Sequence, residues 1–551
     1  MKFFVVCPRG LEAPLHDELC NIIALHQDAK LHTQLGLDTA HSKHLQSIFK
    51  SAQVGTLPVK PTGGLEVIGG MELAMAINLH SRIASRVLLQ LMHGPYKKEE
   101  DIYAAANKIS WEDWMTTDQT LRVDVTAQKS NLNSINFITL RIKDAICDRF
   151  REIKGKRPSI ETATPDVRVM AFLDPSFMTI YLDTSGEALF KRGWRDEKGA
   201  APLKENLAAG ILALTGWQAD QPLFDPMCGS GTFLIEAARI AKQIAPGAIR
   251  AGLISPNQNS PQPTQVKKPE PTIIEDEPEA EAKDETQTPQ VNTAWVAPIA
   301  VDTGKVIASP QNKPLPVQKP STPIKKPTRV NMELPYQASR VDLVGVLQGF
   351  GFLRLKPFAE QQVRASWEQI KHLANLQMQA AQSQVLRIAG SDINEQMVAM
   401  TQRNWQKAGL PGLPIVRQID ALAAKSPFGD MKKTGVIVFN PPYGERIELK
   451  GGRGDQNEDK KSRGARDPLP KNISDPQFVE FLANFGRHLK DQFDGWQMDV
   501  LTADMGLPGQ LRMKETKRTP LFNGAIECRL FRFEIRKSFI KTTNDTIDSE
   551  D

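Results

Sequence analysis

The four residues Asn440-Pro441-Pro442-Tyr443, directly after the apolar run Val436–Phe439, constrain the fold of this chain more than any other feature. The run is continuous rather than alternating and is rich in β-branched residues, which predicts a buried strand of a parallel sheet. Two prolines cannot continue such a strand, so it must end at Asn440. An amide side chain, a rigid turn and an aromatic ring therefore follow the carboxyl end of a strand, where open α/β sheets bind ligands.

This turn suits the transfer of a carbon group onto an exocyclic amine of a planar base. Such an amine is a poor nucleophile because its lone pair is delocalised into the ring. The Asn440 side-chain oxygen and the Pro441 carbonyl can accept its two N–H groups, and Pro441 with Pro442 fixes the direction of that carbonyl. Tyr443 would stack on the base, a contact worth roughly 1–3 kcal/mol. The alternative interpretation is a turn that only ends the strand and carries a surface tyrosine.

A second feature is the glycine turn that follows the short apolar strand Leu223–Asp225 and precedes a predicted helix over Phe233–Ala241. A phosphate-binding loop would need a Lys-Ser/Thr pair after its last glycine, where Thr232 and Phe233 stand. A dinucleotide-binding loop would need a third glycine at Leu234. Asp225 would repel a pyrophosphate, but it suits a ligand that carries an ammonium and a sulfonium. The loop therefore favours S-adenosylmethionine.

Two further carboxylates follow predicted strands downstream of this loop. Val385–Asp392 is predicted to be a strand whose final carboxylate can accept two ribose hydroxyls, and Ile415–Asp420 a strand whose final carboxylate can accept from an adenine amino group. Each carboxylate alone is better explained as a helix cap or a solvated loop residue. Their order along the chain, one strand apart and ending at Asn440, is what supports a cofactor site.

Together these motifs resemble those of the THUMP-containing, class I S-adenosylmethionine-dependent RNA methyltransferases. Within that family the chain is most similar to the bacterial large-subunit methyltransferases L, which methylate N2 of one guanine in 23S rRNA. The likeness covers most of the chain outside two insertions. The segments that carry it are Ser81–Arg86, Asp183–Glu187, Arg192–Arg195, Ala201–Asn206, Asp225–Thr232, Gly390–Asp392 and Asn440–Arg446.

The resemblance implies an α/β fold with a Rossmann-like class I methyltransferase domain, preceded by an α+β ferredoxin-like and THUMP region that binds RNA. It implies S-adenosylmethionine as the cofactor, with Asp392 at the ribose and Asp420 at the adenine. The residues that it assigns to the methionine moiety are Asp225, Pro226, Cys228, Gly229, Gly231 and Thr232. The residues that it assigns to the target base are Asn440, Pro441, Pro442 and Tyr443.

Two basic segments are candidates for contact with RNA. Residues 141–157 carry seven basic and three acidic side chains on a predicted amphipathic helix, whose buried side would hold Ile142, Ile146, Phe150 and Ile153. Residues 191–195 place an aromatic ring among cations, a combination suited to phosphates and bases. The predicted RNA-binding residues are Arg141, Lys143, Arg149, Lys154, Lys156, Arg157, Arg192, Trp194 and Arg195. Both segments are otherwise explained as solvated charged surface.

Composition limits the class of protein. A length of 551 residues is too long for one core and indicates two to four domains. The chain has no apolar run long enough to span a bilayer. Its five cysteines are odd in number and lack the paired spacing of metal ligands, which favours a reducing, cytoplasmic location and argues against structural zinc. Cys228 is predicted to be a small residue of the cofactor turn rather than a nucleophile, because no partner that could activate a base is evident.

The sequence divides into segments of distinct composition. Residues 256–335 hold 15 of the chain's 38 prolines and almost no aromatic residues, so they are predicted to be a disordered insertion. A second, charged insert at residues 450–471 could be a mobile lid over the base or a passive loop. The acidic tail leads us to expect no second, fused methyltransferase domain. The predicted segments are a ferredoxin-like region (1–65), a THUMP domain (66–184), a methyltransferase domain (185–255 and 336–537), the insertion (256–335) and the tail (538–551).

The leading hypothesis is methylation of the N2 amine of a guanine in 23S rRNA, with the proton leaving to solvent because no general base is evident. Guanine-N2 methylation of tRNA and N6-adenine methylation of DNA use the same turn and remain alternatives. A non-catalytic RNA-binding factor for ribosome assembly is a third. The predicted RNA-binding region argues against DNA, and the likeness over the whole chain favours rRNA.

Overall fold

The computed structural model describes residues 1–59, 62–132, 134–195, 203–255, 349–428, 434–441, 476–524 and 526–537. The predicted insertion at 256–335, the charged insert at 450–471 and the tail at 538–551 lie outside these ranges. The described residues form two sheets, of eight and seven strands, with helices packed against both.

The strands and helices are numbered here in chain order, with bounds as the structure has them. The strands are β1 Lys2–Val6, β2 Gln53–Val54, β3 Gly64–Ile68, β4 Arg86–Pro95, β5 Thr120–Ala127, β6 Ser159–Ile160, β7 Val167–Leu173, β8 Phe177–Asp183, β9 Leu223–Asp225, β10 Ile388–Asp392, β11 Ile415–Gln418, β12 Val436–Phe439, β13 Gln497–Thr502, β14 Lys517–Asn523 and β15 Ile526–Glu534. The α-helices are α1 Glu12–Gln27, α2 Ala29–Gln34, α3 Thr39–Phe49, α4 Met71–His80, α5 Glu99–Lys108, α6 Ile135–Lys154, α7 Glu205–Thr215, α8 Thr232–Ala241, α9 Gln361–Ala380, α10 Glu395–Lys407, α11 Pro476–Gln492 and α12 Leu507–Gln510.

The N-terminal half of the chain builds a single eight-stranded sheet in the order β2-β3-β1-β4-β8-β7-β5-β6. β4 joins its two parts, because it pairs antiparallel with β1 on one side and with β8 on the other. The predicted division between residues 65 and 66 falls within β3. The two segments that the sequence predicts as separate regions, 1–65 and 66–184, therefore share one continuous sheet.

The apolar pattern of the sequence predicts a helix over Ile77–Leu91, and the structure shows that this prediction is wrong. Helix α4 ends at His80, and β4 begins at Arg86. The Glu18 carboxylate accepts hydrogen bonds from the Ser81 hydroxyl at 2.5 Å and from the Arg82 N–H at 2.7 Å, which holds the turn between the two elements. Pairing along both edges of β4 outweighs the apolar pattern that suggested a continuous helix.

Helix α6 agrees with the predicted amphipathic helix. It begins after Ser134, whose hydroxyl accepts from the Phe137 N–H at 3.2 Å, and it ends at Gly155 in the left-handed conformation. Ile142, Ile146 and Phe150 are buried as predicted, whereas Ile153 is exposed. All residues of the last turn, 151–154, are exposed.

The second sheet has the order β11-β10-β9-β12-β13-β15-β14. Its first five strands are parallel, and the β14–β15 hairpin joins antiparallel to β13. The alternating pattern of residues 524–535 predicts a strand, and the family resemblance implies an antiparallel hairpin at this edge; both are present. Because strand order reverses on either side of β9, the carboxyl ends of β10, β9 and β12 meet at the position where such sheets bind ligands.

Strand β12 lies between two hydrophobic cores. Val436 and Val438 belong to the large core that also includes the N-terminal half, while Ile437 and Phe439 belong to the core formed with α11 and the hairpin. All four side chains are buried. This two-sided burial explains why the sequence of β12 is continuously apolar.

Prediction: Gly486→Ala in α11 will lower the free energy of unfolding by about 1–3 kcal/mol, the usual cost of overpacking. A β-carbon at this position would overlap the backbone carbonyl oxygen of Leu511, where α12 ends, so the two helices would have to separate. Gly509→Ala is the matched control, because a β-carbon there would meet no described atom within 4 Å. Urea unfolding of both variants tests this, and equal stabilities would contradict it.

Candidate functional site

The candidate site begins with the register of three neighbouring parallel strands. Gly390 of β10 lies opposite Asp225, the last residue of β9, so Asp392 stands two residues beyond it. On the other side of β9, Ile437 lies opposite Phe224, which places Asn440 two residues beyond the level of Asp225. The three polar side chains therefore share the carboxyl edge of the sheet, as the sequence predicted.

The turn between β9 and α8 depends on two glycines with positive φ. Gly229 has φ of 53° and Gly231 has φ of 79°. A β-carbon on Gly231 would lie 2.5 Å from the Thr401 methyl carbon, so only glycine allows this close approach. A β-carbon on Gly229 would meet nothing within 4 Å among the described residues. The turn is thus tightly packed on one side and open at Gly229.

Helix α10 supports this turn through two side chains that the sequence analysis missed. The Thr401 hydroxyl donates to the Gly229 carbonyl at 2.8 Å, and the Asn404 amide donates to the Ser230 carbonyl at 3.1 Å. These residues are three apart, so they lie on one face of the helix that follows Asp392. The sequence predicts a helix over Asn394–Ala408 with Met397, Met400 and Trp405 in the core. Two polar groups three residues apart in such a helix were the available signal.

Asp392 also fixes the turn. One of its carboxylate oxygens accepts from the Gly229 N–H at 2.9 Å, and the other accepts from the Asn394 N–H at 2.9 Å. Each oxygen retains a second lone pair that can accept from a hydroxyl. The structure thus gives this residue a structural role and leaves room for the predicted contact with a ribose.

Asp225 is a buried carboxyl group with few partners to offset the cost of burying its charge. Its Oδ1 accepts from the Met227 N–H at 3.0 Å, and its residue exposure is 2%. Burial raises the pKa of Asp225 well above its ordinary value, and the nearby charge of Asp392 raises it further. A cation bound beside Asp225 would reverse this destabilisation of the charged form.

Asp420 is exposed and caps the short 3₁₀ helix Ala421–Ala423. Its Oδ1 accepts from the Leu422 N–H at 2.9 Å. The structure therefore shows the capping role that the sequence allowed as an alternative. A contact between Asp420 and an adenine stays a prediction.

Asn440 and Pro441 are the parts of the predicted target-base turn that the structure describes; Pro442 and Tyr443 lie outside the described residues. Pro441 is buried. The Asn440 Oδ1 atom is buried and has no hydrogen-bond partner within the described ranges. Buried polar atoms are rarely left without a partner, and such an atom needs an explanation. An acceptor free to take an N–H from a ligand is one.

Arg192 and Trp194 were predicted to contact RNA, and the structure does not place them where RNA can reach them. Their exposures are 3% and 0%. Arg192 donates to the carbonyls of Leu189 and Arg82 and pairs with Glu236 at 3.5 Å. The segment after β8 that carries these two side chains, residues 184–195, is called the linker here. Both side chains are parts of the interior, because the linker is packed between the two halves of the chain.

Arg195 also lies away from a free surface. Its guanidinium donates to the Glu205 carboxylate and to two hydroxyls of the glycine turn, those of Ser230 and Thr232. The prediction that Arg195 contacts RNA therefore conflicts with the structure, which directs this side chain toward the glycine turn. The composition of residues 191–195 could not show this, because an aromatic residue among cations has the same sequence pattern whether it is exposed or buried.

The basic residues of α6 fall into two groups. Arg149 makes a two-point ion pair with Glu112, at 2.6 and 2.8 Å, and Arg141 lies over the ring of Tyr103. Lys143 pairs with Asp144 at 3.0 Å. The three residues at the end of the helix and in the loop beyond it are exposed: Lys154, Lys156 and Arg157. These three are the better placed of the predicted RNA contacts.

Metal-ligating clusters and membrane-spanning helices are both absent from the residues that the structure describes. Those residues contain no group of three or more His, Cys, Asp or Glu side chains that could hold a metal ion. None of their helices is both long enough and apolar enough to cross a membrane.

Comparison with protein families identifies two domains in the chain. Residues 192–308 and 353–455 match the RMKL-like methyltransferase domain, and residues 96–183 match the THUMP domain. The chain thus carries a THUMP domain followed by an RMKL-like methyltransferase domain. The predicted fold class, a Rossmann-like methyltransferase domain preceded by a THUMP region, is confirmed.

Several curated proteins are similar to the chain over most of its length. The proteins named ribosomal RNA large subunit methyltransferase K/L from Psychromonas ingrahamii and Syntrophotalea carbinolica are 28% and 29% identical to it, over 87% and 97% of the chain. These alignments cover 47% and 54% of the two relatives. The chain therefore spans about half the length of the curated relatives it matches.

Solved structures share the fold at lower sequence identity. SMU.472, a methyltransferase structure complexed with SAH, has a TM-score of 0.60 at 21% identity, covering 98% of this chain and 99% of that one. A predicted N6-adenine-specific DNA methylase from Listeria monocytogenes has a TM-score of 0.59 at 20% identity, covering 97% and 95%. These matches support the arrangement of both sheets.

Prediction: Asp225→Asn will stabilise the ligand-free protein at neutral pH. The pKa of Asp225 is raised in the folded state above the ordinary 3.8, so the folded state holds this proton to higher pH than the unfolded state. The folded protein consequently loses stability as pH rises from the unfolded-state pKa of Asp225 to its folded-state pKa, at up to about 1.4 kcal/mol per pH unit. Asparagine cannot ionise and avoids this loss.

Urea unfolding between pH 4 and pH 8 measures the effect, with exposed Asp491→Asn on α11 as the control. The stability difference between Asp225→Asn and the parent should grow as pH rises and vanish near the lower limit. A difference that is constant with pH would contradict a raised pKa at Asp225.

Proposed function

We propose that this chain, built from a THUMP domain and an RMKL-like methyltransferase domain, methylates the N2 amine of a guanine in 23S rRNA with S-adenosylmethionine as methyl donor. The observation that carries the proposal is the buried Asn440 Oδ1 at the end of β12, which has no partner among the described residues. It stands one strand away from the glycine turn, at the same edge of the sheet. The names of the curated relatives supply the rRNA substrate.

The residues at this edge fit S-adenosylmethionine. Asp225 is a buried carboxyl group that lacks a cation among the described side chains, and an ammonium group would supply one. A β-carbon on Gly229, which has positive φ, would meet no described atom within 4 Å, so a ligand can approach this backbone closely. Asp392 retains lone pairs for the ribose hydroxyls, and Asp420 stands at the end of the neighbouring strand for the adenine. When bound, S-adenosylmethionine supplies an electrophilic methyl group.

Asn440 and Pro441 would act on the target amine. The Asn440 Oδ1 and the Pro441 carbonyl accept its two N–H groups, which localises the nitrogen lone pair away from the ring. Both acceptors are held by β12, whose four residues are buried, so little reorganisation is needed. The amine loses its proton to solvent after transfer, because the described part of the site offers no general base beside Asn440.

The choice of polymer is supported by the N-terminal half. A THUMP domain at residues 96–183 and the exposed Lys154, Lys156 and Arg157 favour RNA, since basic side chains neutralise backbone phosphates. A ribosomal substrate places the protein in the cytoplasm, with the large subunit or its precursor as partner. Adenine-N6 methylation of DNA uses the same acceptors and is the second candidate. Only the identity of the methylated nucleoside distinguishes the two candidates.

Prediction: incubation with labelled S-adenosylmethionine will label 23S rRNA and leave tRNA and duplex DNA unlabelled. Digestion of the product to nucleosides should give N2-methylguanosine. Protein-free RNA and fully methylated ribosomal RNA serve as controls. Label in N6-methyladenosine, or label in tRNA alone, would show that the proposed assignment is wrong. Cofactor binding without transfer to any nucleic acid would instead indicate a non-catalytic assembly factor.

Prediction: Asn440→Ala will lower the rate of methyl transfer by roughly 10²–10³, the cost of removing one preorganised polar group. Cofactor affinity should stay within about twofold, because no hydrogen bond among the described residues joins Asn440 to the glycine turn. Single-turnover kinetics and calorimetric titration with S-adenosylhomocysteine measure the two effects separately. Asn484→Ala, at a partly exposed position of α11, is the control. Joint loss of transfer and cofactor affinity would mean that Asn440 only supports the fold.

A further inference from the structure

The linker, residues 184–195, leads from the last strand of the N-terminal sheet into the methyltransferase domain and sends two arginines to one face of helix α8. Arg192 pairs with Glu236, and Arg195 donates to the hydroxyl of Thr232. Thr232 and Glu236 are four residues apart, which places them one above the other on the helix. The linker thus runs along the helix that begins in the glycine turn.

Arg195 uses its planar guanidinium in three directions. Its Nη2 donates to the Thr232 hydroxyl at 2.7 Å, its Nη1 to the Ser230 hydroxyl at 3.2 Å, and its Nε to the Glu205 carboxylate at 2.9 Å. A fourth bond runs from Nη2 to the Leu203 carbonyl at 3.2 Å. The Arg195 and Glu205 side chains are only 10% and 7% exposed. Such a fork cannot be reproduced by a single ammonium.

The glycine turn is held from two sides. Helix α10 and Asp392 fix its backbone, through the carbonyls of Gly229 and Ser230 and the Gly229 N–H. Arg195 fixes its side chains, since it bonds both hydroxyls of the turn. Glu205 in turn orients Arg195: burial raises the pKa of the Glu205 carboxyl, and the charge of Arg195 opposes that rise.

We propose that Arg195 is a positioning residue for the amino-acid end of the cofactor, acting through Ser230 and Thr232. This proposal rests on the proposed function only in requiring that the glycine turn bind S-adenosylmethionine. By holding both hydroxyls, Arg195 keeps the turn in its binding conformation before the ligand arrives, which lowers the ordering cost of binding. Its effect is therefore confined to ligands that carry the amino-acid portion.

A purely structural role for Arg195 is the competing explanation, and Arg250 provides a matched control. Arg250 clamps the same linker by donating to the carbonyls of Glu187, Ala188 and Lys191 at 2.9, 3.1 and 3.0 Å. Within the described ranges, none of its hydrogen bonds reaches Ser230 or Thr232. Removal of either arginine would loosen the linker, but only the removal of Arg195 would also release the glycine turn.

The test is calorimetric titration of the full chain with S-adenosylhomocysteine and with 5′-methylthioadenosine, which lacks the amino-acid portion. Arg195→Ala should weaken S-adenosylhomocysteine binding by about tenfold or more, equivalent to about 1.4 kcal/mol. Binding of 5′-methylthioadenosine should change by less than about threefold. Arg195→Lys should recover only part of the loss. Arg250→Ala should lower the melting temperature and keep both affinities.

Equal weakening of both ligands by Arg195→Ala, or no weakening, would overturn the proposal while leaving the methyltransferase function in place. Failure of the unaltered protein to bind S-adenosylhomocysteine would overturn the proposed function as well. If Arg195→Ala does not fold, the double variant Ser230→Ala/Thr232→Val is used instead. It keeps the Arg195–Glu205 pair and removes the two acceptors, so the same selective loss is expected, and its absence would contradict the proposal.

Discussion

The burial of β12 between two cores is the constraint on which the site depends. Its four side chains alternate between the core shared with the N-terminal half and the core formed with α11. A shift of one residue would exchange every side chain between the two cores, so the register against β9 is strongly determined. That register fixes where Asn440 stands relative to Asp225. The position of Asn440 relative to the glycine turn thus follows from the hydrophobic packing of β12.

The two halves of the chain are joined by a buried cluster of charge around Glu236. Arg82, Arg192 and Arg239 all interact electrostatically with this one carboxylate. Burial lowers the pKa of Arg239 to about 9, and the charge of Glu236 opposes that shift. Arg82 also donates to the carbonyls of Arg239 and Ile244. Because such groups are costly to bury without one another, the N-terminal half and helix α8 are fixed together.

Sequence patterns predicted the parts of the structure that depend on periodicity and turn chemistry. The strands at Leu223–Asp225 and Val436–Phe439 and the helix Ile135–Lys154 could be predicted because apolar spacing and the flanking glycines and prolines are local signals. The wrong helix over Ile77–Leu91 shows the limit of that method. Strand β4 is determined by partners more than eighty residues away, at Val5 and Leu182.

The same limit applies to the candidate site. The order of Asp225, Asp392 and Asn440 after successive strands was visible in the sequence, because parallel strands end at one edge. The burial of Arg192 and Trp194 was not, since a cation beside an aromatic ring has the same composition inside or outside the fold. Thr401 was also missed, because its contact with the Gly229 carbonyl joins residues 172 positions apart. Long-range polar partners leave no periodic trace.

Two polar groups at the strand ends are left uncompensated by the described part of the fold. Asp225 is buried with one backbone donor, and Asn440 has a buried acceptor without a described partner. A sequence selected for stability alone would have replaced both, since each costs free energy in the absence of a ligand. The two groups differ in the partner they need: a carboxylate needs a cation, whereas an amide oxygen needs an N–H. The cationic cofactor and the amine of the proposed function, bound one strand apart, would satisfy both needs at once.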